Sequence, residues 1–104
     1  MKFYYNGKQV RTSKTRHYKY AIVREVGDKV IVYACSETRE NAYKRLQAEK
    51  NEQRARAEGE LKWSKKPENF KWAVEFYGEY NPEADYQKAL ENIEKIKVVE
   101  LEER

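Results

Sequence analysis

Hydrophobic and polar positions in the first third of the chain alternate with period two, and two glycine-bearing turns interrupt them. Tyr5-Asn6-Gly7-Lys8 carries the Asn-Gly pair that tolerates the positive φ angles of a type I′ turn, so a two-residue hairpin is predicted. That loop sets Phe3 opposite Val10 and Tyr4 opposite Gln9. Phe3 and Val10 then face the core, and Lys2, Tyr4, Gln9 and Arg11 share the wet face. A second hairpin spans about residues 18–26 and 29–35 around Gly27-Asp28. It pairs Val23 with Val32, Ala21 with Ala34 and Ile22 with Tyr33. One face, Ala21, Val23, Val30, Val32 and Ala34, is small enough for a helix to approach. The other carries Tyr18, Tyr20, Ile22, Ile31 and Tyr33. A strand apolar on both faces belongs in the middle of its sheet.

Beyond residue 35 the pattern changes period. Ser36 reads as an N-cap, with Glu37 and Glu40 in the first turn, where the helix dipole favours acids. Ala42, Tyr43 and Leu46 give a short apolar stripe. After Gln47 only alanines break the charge, so the second half of this helix is expected to be solvated, with Gly59 as its stop. Pro67 and Asn69 mark a loop. Phe70-Lys71-Trp72-Ala73-Val74-Glu75-Phe76 alternates and is rich in aromatics, which predicts a strand at 70–77 with Phe70, Trp72, Val74 and Phe76 turned inward. Asn81-Pro82 is a cap followed by proline at the first helical position, and Tyr86, Ala89, Leu90 and Ile93 continue a helix to about residue 95. Residues 96–101 close as a strand. The expected order is ββ-ββ-α-β-α-β, a single α+β domain over 1–104. Two helices cover one face of a mostly antiparallel sheet. The 70–101 stretch fits either a right-handed βαβ unit or a mixed sheet.

Charge sharpens this outline. Residues 1–24 hold seven Lys or Arg and no acid. Residues 36–104 carry 14 bases and 16 acids, so the net charge of +4 reflects one basic segment on a nearly balanced body. That footprint is the one expected for contact with a polyanion. Nine Tyr, three Phe and two Trp supply burial that the 39% hydrophobic content understates, which argues against disorder of the whole chain. A single cysteine, Cys35, rules out an internal disulfide and suits a reducing cytoplasm. No apolar run is long enough for a membrane span, and no secretory signal is visible, so the expectation is a cytoplasmic protein without membrane partners.

The candidate site follows from base next to ring. Lys8, Arg11, Lys14, Arg16 and Lys19 would neutralise phosphates, and Tyr4 and Tyr18 would stack on bases. Thr12-Ser13-Lys14-Thr15 could hold phosphate through hydroxyl and backbone donors. The opposing reading is that tyrosine simply suits strands and lysine blunts a sheet edge. No RNP-type motif, GXXG loop, zinc finger or helix-turn-helix is present, so backbone or shape contacts are favoured over base readout. His17, the only histidine, could serve a metal-independent ribonuclease as general acid or base, although a solvated linker histidine is the commoner case. Cys35 reads as a buried small hydrophobe. The acids of the second half (Glu75, Glu79, Glu83, Asp85, Glu91, Glu94) have no EF-hand or two-metal spacing and read as a solvated face. No cofactor or metal is expected.

The opening KFYYNGKQVRTSKTRHYKYAIV, with the Gly-Asp turn and the strand ending ACSETRENA, resembles small uncharacterised proteins of Firmicutes phages and mobile elements over residues 1–46. That resemblance implies an accessory or host-takeover role, in some cases inhibition of a host defence nuclease, and carries no catalytic motif. The expectation is a non-enzymatic accessory protein whose basic hairpin surface binds nucleic acid or a nucleoprotein. A protein-binding inhibitor of a host factor is the alternative, and a His17 ribonuclease the second alternative.

Overall fold

Four strands open the chain as two antiparallel hairpins. In the computed structural model, which describes residues 1–104, these are β1 (Lys2–Tyr5) with β2 (Lys8–Thr12), and β3 (Tyr20–Val26) with β4 (Lys29–Ser36). Asn6 (φ 50°) and Gly7 (φ 75°) both take the positive φ that the Asn-Gly turn predicts. Three helices follow, α1 (Arg39–Ser64), α2 (Pro67–Tyr77) and α3 (Pro82–Glu94), and then β5 (Lys97–Glu100) and β6 (Glu102–Glu103). The fold is α+β, but the expected single sheet is two sheets of three strands, ordered β2-β1-β6 and β4-β3-β5. The terminal strand supplies the extra edge. β5 pairs with β3, the chain bends at Leu101, and β6 pairs with β1, so one short segment joins both sheets.

β3 lies between β4 and β5, as its two apolar faces require. Ala21, Ile22 and Val23 are completely buried. Burying side chains such as Ile22 and Val23 stabilises by about 1.5–3 kcal/mol each. Two bulges adjust the predicted registers. Tyr4 meets Gln9 as expected, but Phe3 lies opposite Arg11 because the pairing shifts between Phe3 and Tyr4. Val23 meets Val32, yet Ile22 faces Ala34 and Ala21 faces Cys35. An extra residue in one strand accounts for each slip. The faces are also used the other way round from expectation. Helix α1 covers the bulky side, where Ala42 packs with Ile22 and Ile96 beside Tyr20, Tyr33 and Leu46. The small side, Ala21 and Val23 with Cys35, receives Tyr5, Tyr18 and Leu101 from the neighbouring hairpin and terminal strand.

Helix α1 departs most from the simple pattern. Its cap is Thr38, whose Oγ1 accepts from the Asn41 N–H at 3.3 Å, not Ser36, which ends β4. It also runs straight through Gly59 to Ser64. At 26 residues it is about 39 Å long, far longer than the sheet it covers. Its C-terminal half is mostly exposed, as expected, but one side carries α2 and α3: Ala57 and Ser64 are buried, and α3 returns alongside with Ile93 buried.

The expected strand at 70–77 is helix α2. Pro67 at the first turn, Glu68 beside it and Gly78 (φ 82°) at its C-terminus frame it. Asn81 caps α3 as predicted, its Oδ1 accepting from the Ala84 N–H at 3.1 Å. The result is an elongated molecule of 52 × 26 × 22 Å with a radius of gyration of 17.6 Å. A compact chain of this length would have a radius of about 13 Å. No helix is long and apolar enough to cross a membrane.

Candidate nucleic-acid interface

Of the seven predicted site residues, Tyr4, Lys8 and Arg11 lie on the first hairpin, and Lys14, Arg16, Tyr18 and Lys19 lie in the linker between β2 and β3. Tyr4 points away from the second sheet and lies under the Arg104 guanidinium, 4.5 Å from ring centroid to Cζ. Arg104 is itself held by Glu102, at 3.2 Å from both its Nε and its Nη2. Arg11 does not share that face. The bulge puts it opposite Phe3, and its guanidinium lies 5.1 Å from the centroid of Tyr18, whose ring also packs edge-on to Phe3 at 5.5 Å.

Tyr18 forms one wall of a cleft of about 310 Å³ between the linker before β3, the end of β4 and the first turns of α1. Arg16, Lys44 and Arg45 line it, together with Cys35, Ser36, Glu37 and Asn41. Local chemistry aims Arg16 there: the Ser13 Oγ accepts from the Thr15 and Arg16 N–H groups at 3.3 and 2.9 Å, closing a tight turn. The Thr15 N–H, and the Ser13 N–H bound to the Met1 carbonyl at 3.0 Å, are thus taken from the donors that the Thr12–Thr15 stretch was expected to offer a phosphate. The cleft also abuts the N-terminus of α1, where the unpaired N–H groups and the helix dipole add positive potential.

None of Lys8, Arg11, Lys14, Arg16 and Lys19 forms an ion pair with a carboxylate, and neither does Arg45. Lys44 contacts Glu40 at 3.4 Å, with both side chains largely in water. Arg16 and Tyr18 share the cleft and Arg11 adjoins it on the Tyr18 ring, whereas Tyr4, Lys8, Lys14 and Lys19 lie outside it. Lys44 and Arg45 are the members that sequence reasoning missed. Their signal was present: both fall within two turns of the helix start that follows β4, on the side of the chain where Tyr18 leads into β3.

His17 is exposed, with its Nδ1 3.2 Å from a Glu103 carboxylate oxygen. Cys35 is buried, as its apolar neighbours predict. Burial pushes its thiol up, against the opposing charge of Arg11. No three His, Cys, Asp or Glu side chains come together as a metal-binding group.

The aromatic residues of the second half make a separate feature. Phe70, Trp72, Val74 and Phe76, expected to turn inward, are exposed, Phe76 by 69%, and so is Trp63. Trp72 stacks on Phe76 at 5.3 Å and meets Trp63 edge-on at 6.2 Å. A groove of about 540 Å³ opens beside them between α1, α2 and α3. Compared with protein-family profiles, curated proteins and solved structures, the chain matches none.

Proposed function

We propose that this protein binds nucleic acid, or a nucleoprotein, as a non-catalytic accessory factor, and that the contact is made by the cleft at the start of α1. One observation carries the reading: Arg11, Arg16 and Arg45 meet around Tyr18 with no carboxylate paired to any of them. Guanidinium groups suit phosphate because their planar donors can engage two oxygens at once, and the Tyr18 ring holds Arg11 beside the cleft; a base that displaces Arg11 would stack there. Lys8, Lys14 and Lys19 extend the positive field beyond the cleft and steer the encounter. Glu37 at the cleft wall opposes it locally and limits how deep a phosphate can sit. A small cleft with no reading helix favours backbone contacts on a single strand or a duplex end.

The test is an anisotropy titration against single- and double-stranded DNA and RNA at two ionic strengths, comparing the natural chain with R16E/K44E/R45E. All three side chains are exposed, so the fold should survive. Each lost phosphate contact should reduce the slope of log affinity against log salt by about 0.7–0.9. A slope and affinity untouched by the triple reversal would sink the reading.

A further inference from the structure

At the opposite end from the basic cleft, the groove between the helices combines aromatic faces with acid and lacks any base. Ala57 and Leu61 of α1 form part of its lining, and Trp63, Trp72, Tyr77 and Tyr86 form its walls. Glu60, Glu79 and Asp85 stand at its rim, exposed and without an ion-pair partner, and no Lys or Arg lines it. The surrounding charge has the same sign: residues 67–94 hold seven acids and two lysines.

We propose that this groove docks a basic amphipathic segment of a partner protein, with apolar side chains on the rings and Lys or Arg against the rim. Three observations converge on that occupant. Trp72, Phe76 and Tyr77 are 49%, 69% and 65% exposed and contiguous with the groove, an apolar surface of the kind that marks an interaction site. Aromatic faces carry negative quadrupoles, so they and the carboxylates favour the same sign of ligand. A phosphate backbone meets only repulsion here, which makes protein the class of macromolecule this end selects.

Both tryptophans of the chain line the groove, so intrinsic fluorescence reads its occupancy directly. The probes are a synthetic amphipathic Leu/Lys helix, its Leu/Glu counterpart and a Ser/Lys peptide that keeps the charge but not the apolar face. The Leu/Lys peptide should shift tryptophan emission saturably, and both controls should bind about tenfold more weakly or less. E79Q/D85N should weaken Leu/Lys binding about three- to tenfold while leaving circular dichroism and the unfolding curve unchanged. R16E/K44E/R45E should leave peptide binding intact, which separates this proposal from the nucleic-acid one. Equal binding of the Leu/Lys and Leu/Glu peptides, equal binding of the Ser/Lys peptide, or binding of none would overturn it. So would tryptophan emission that follows the protein's own concentration together with a doubled mass, because a second copy would then be the occupant.

Discussion

The sheet end and the helical end of this molecule solve the burial problem differently. At the sheet end, two small sheets and the start of α1 enclose Phe3, Ala21, Ile22, Val23, Cys35, Ala42 and Ile96 between layers. At the helical end, only Ala57, Ala73 and Ile93 are buried among the hydrophobics, although this half holds both tryptophans and two of the three phenylalanines. The difference is one of neighbours. A central strand has partners on both edges and both faces, whereas α2 rests on the last turns of one helix and leaves its outer side uncovered. A total exposed surface of 7680 Å² follows, against about 6,200 Å² for a compact chain of this mass. Large rings left in water add little to folding, and they form the surface that the proposed docking groove would use.

Four changes would break or sharpen this contrast. The largest effect is expected from Ile22→Ala at the centre of β3, which should lower unfolding stability by about 2–5 kcal/mol in urea. Phe76→Ala at the exposed end should cost less than about 1 kcal/mol, and equal costs would mean that the helical end is as tightly held as the sheets. Amide exchange measured on the same samples should be fastest in α2 and slowest in β3, since few buried contacts anchor the former.

Gly59→Ala should raise stability by about 0.5–1 kcal/mol. Gly59 lies inside α1 without a positive φ, and an added Cβ would meet nothing within 4 Å. A loss of stability instead would show that α1 breaks there and that the helical end is a separate unit.

Oxidation or alkylation at Cys35 offers a probe of the sheet end. Burial raises the thiol, so iodoacetamide should react slowly near neutral pH and rapidly once the chain is unfolded. Fast native-state labelling would mean that the cleft opens onto the core.

The smallest effect belongs to Glu25 and Lys97, which join β3 to β5 at 2.8 Å on the surface. The Lys97 hydrogen bond holds the Glu25 carboxyl below its ordinary value of 4.5, and Glu25 holds the Lys97 ammonium above 10.5. A lowered acid stabilises above its unfolded pKa and loses that contribution as pH falls through the folded value. A raised base keeps its contribution below its unfolded pKa and loses it as pH rises through the folded value. The pair thus supports the sheet between those limits. Lys97→Met should lower stability slightly across the window between those limits, most visibly at low salt, and leave the acid end, where the Glu25 carboxyl is already protonated, unchanged. An unchanged profile would leave the junction to backbone pairing alone.

Much of the sheet end was legible because its signals are local. Asn6-Gly7 and Gly27-Asp28 place turns wherever the chain goes, Asn81-Pro82 starts a helix without outside help, and the unbroken run of bases before Glu25 is visible before any folding. The 70–77 stretch was misread because its apolar residues satisfy both periods. Phe70, Trp72, Val74 and Phe76 alternate like a strand, whereas Phe70, Ala73, Val74 and Tyr77 repeat like a helix. The frame of Pro67, Glu68 and Gly78 was the local signal that favoured the helix.

Turn chemistry and charge are properties of short segments, and those the amino-acid order determined by itself. Tertiary structure alone decided which face of β3 the helix covers, where the bulges carry Arg11, and which cations meet Lys44 and Arg45. Those outcomes depend on packing between segments far apart in the chain, and no local preference encodes which neighbour arrives.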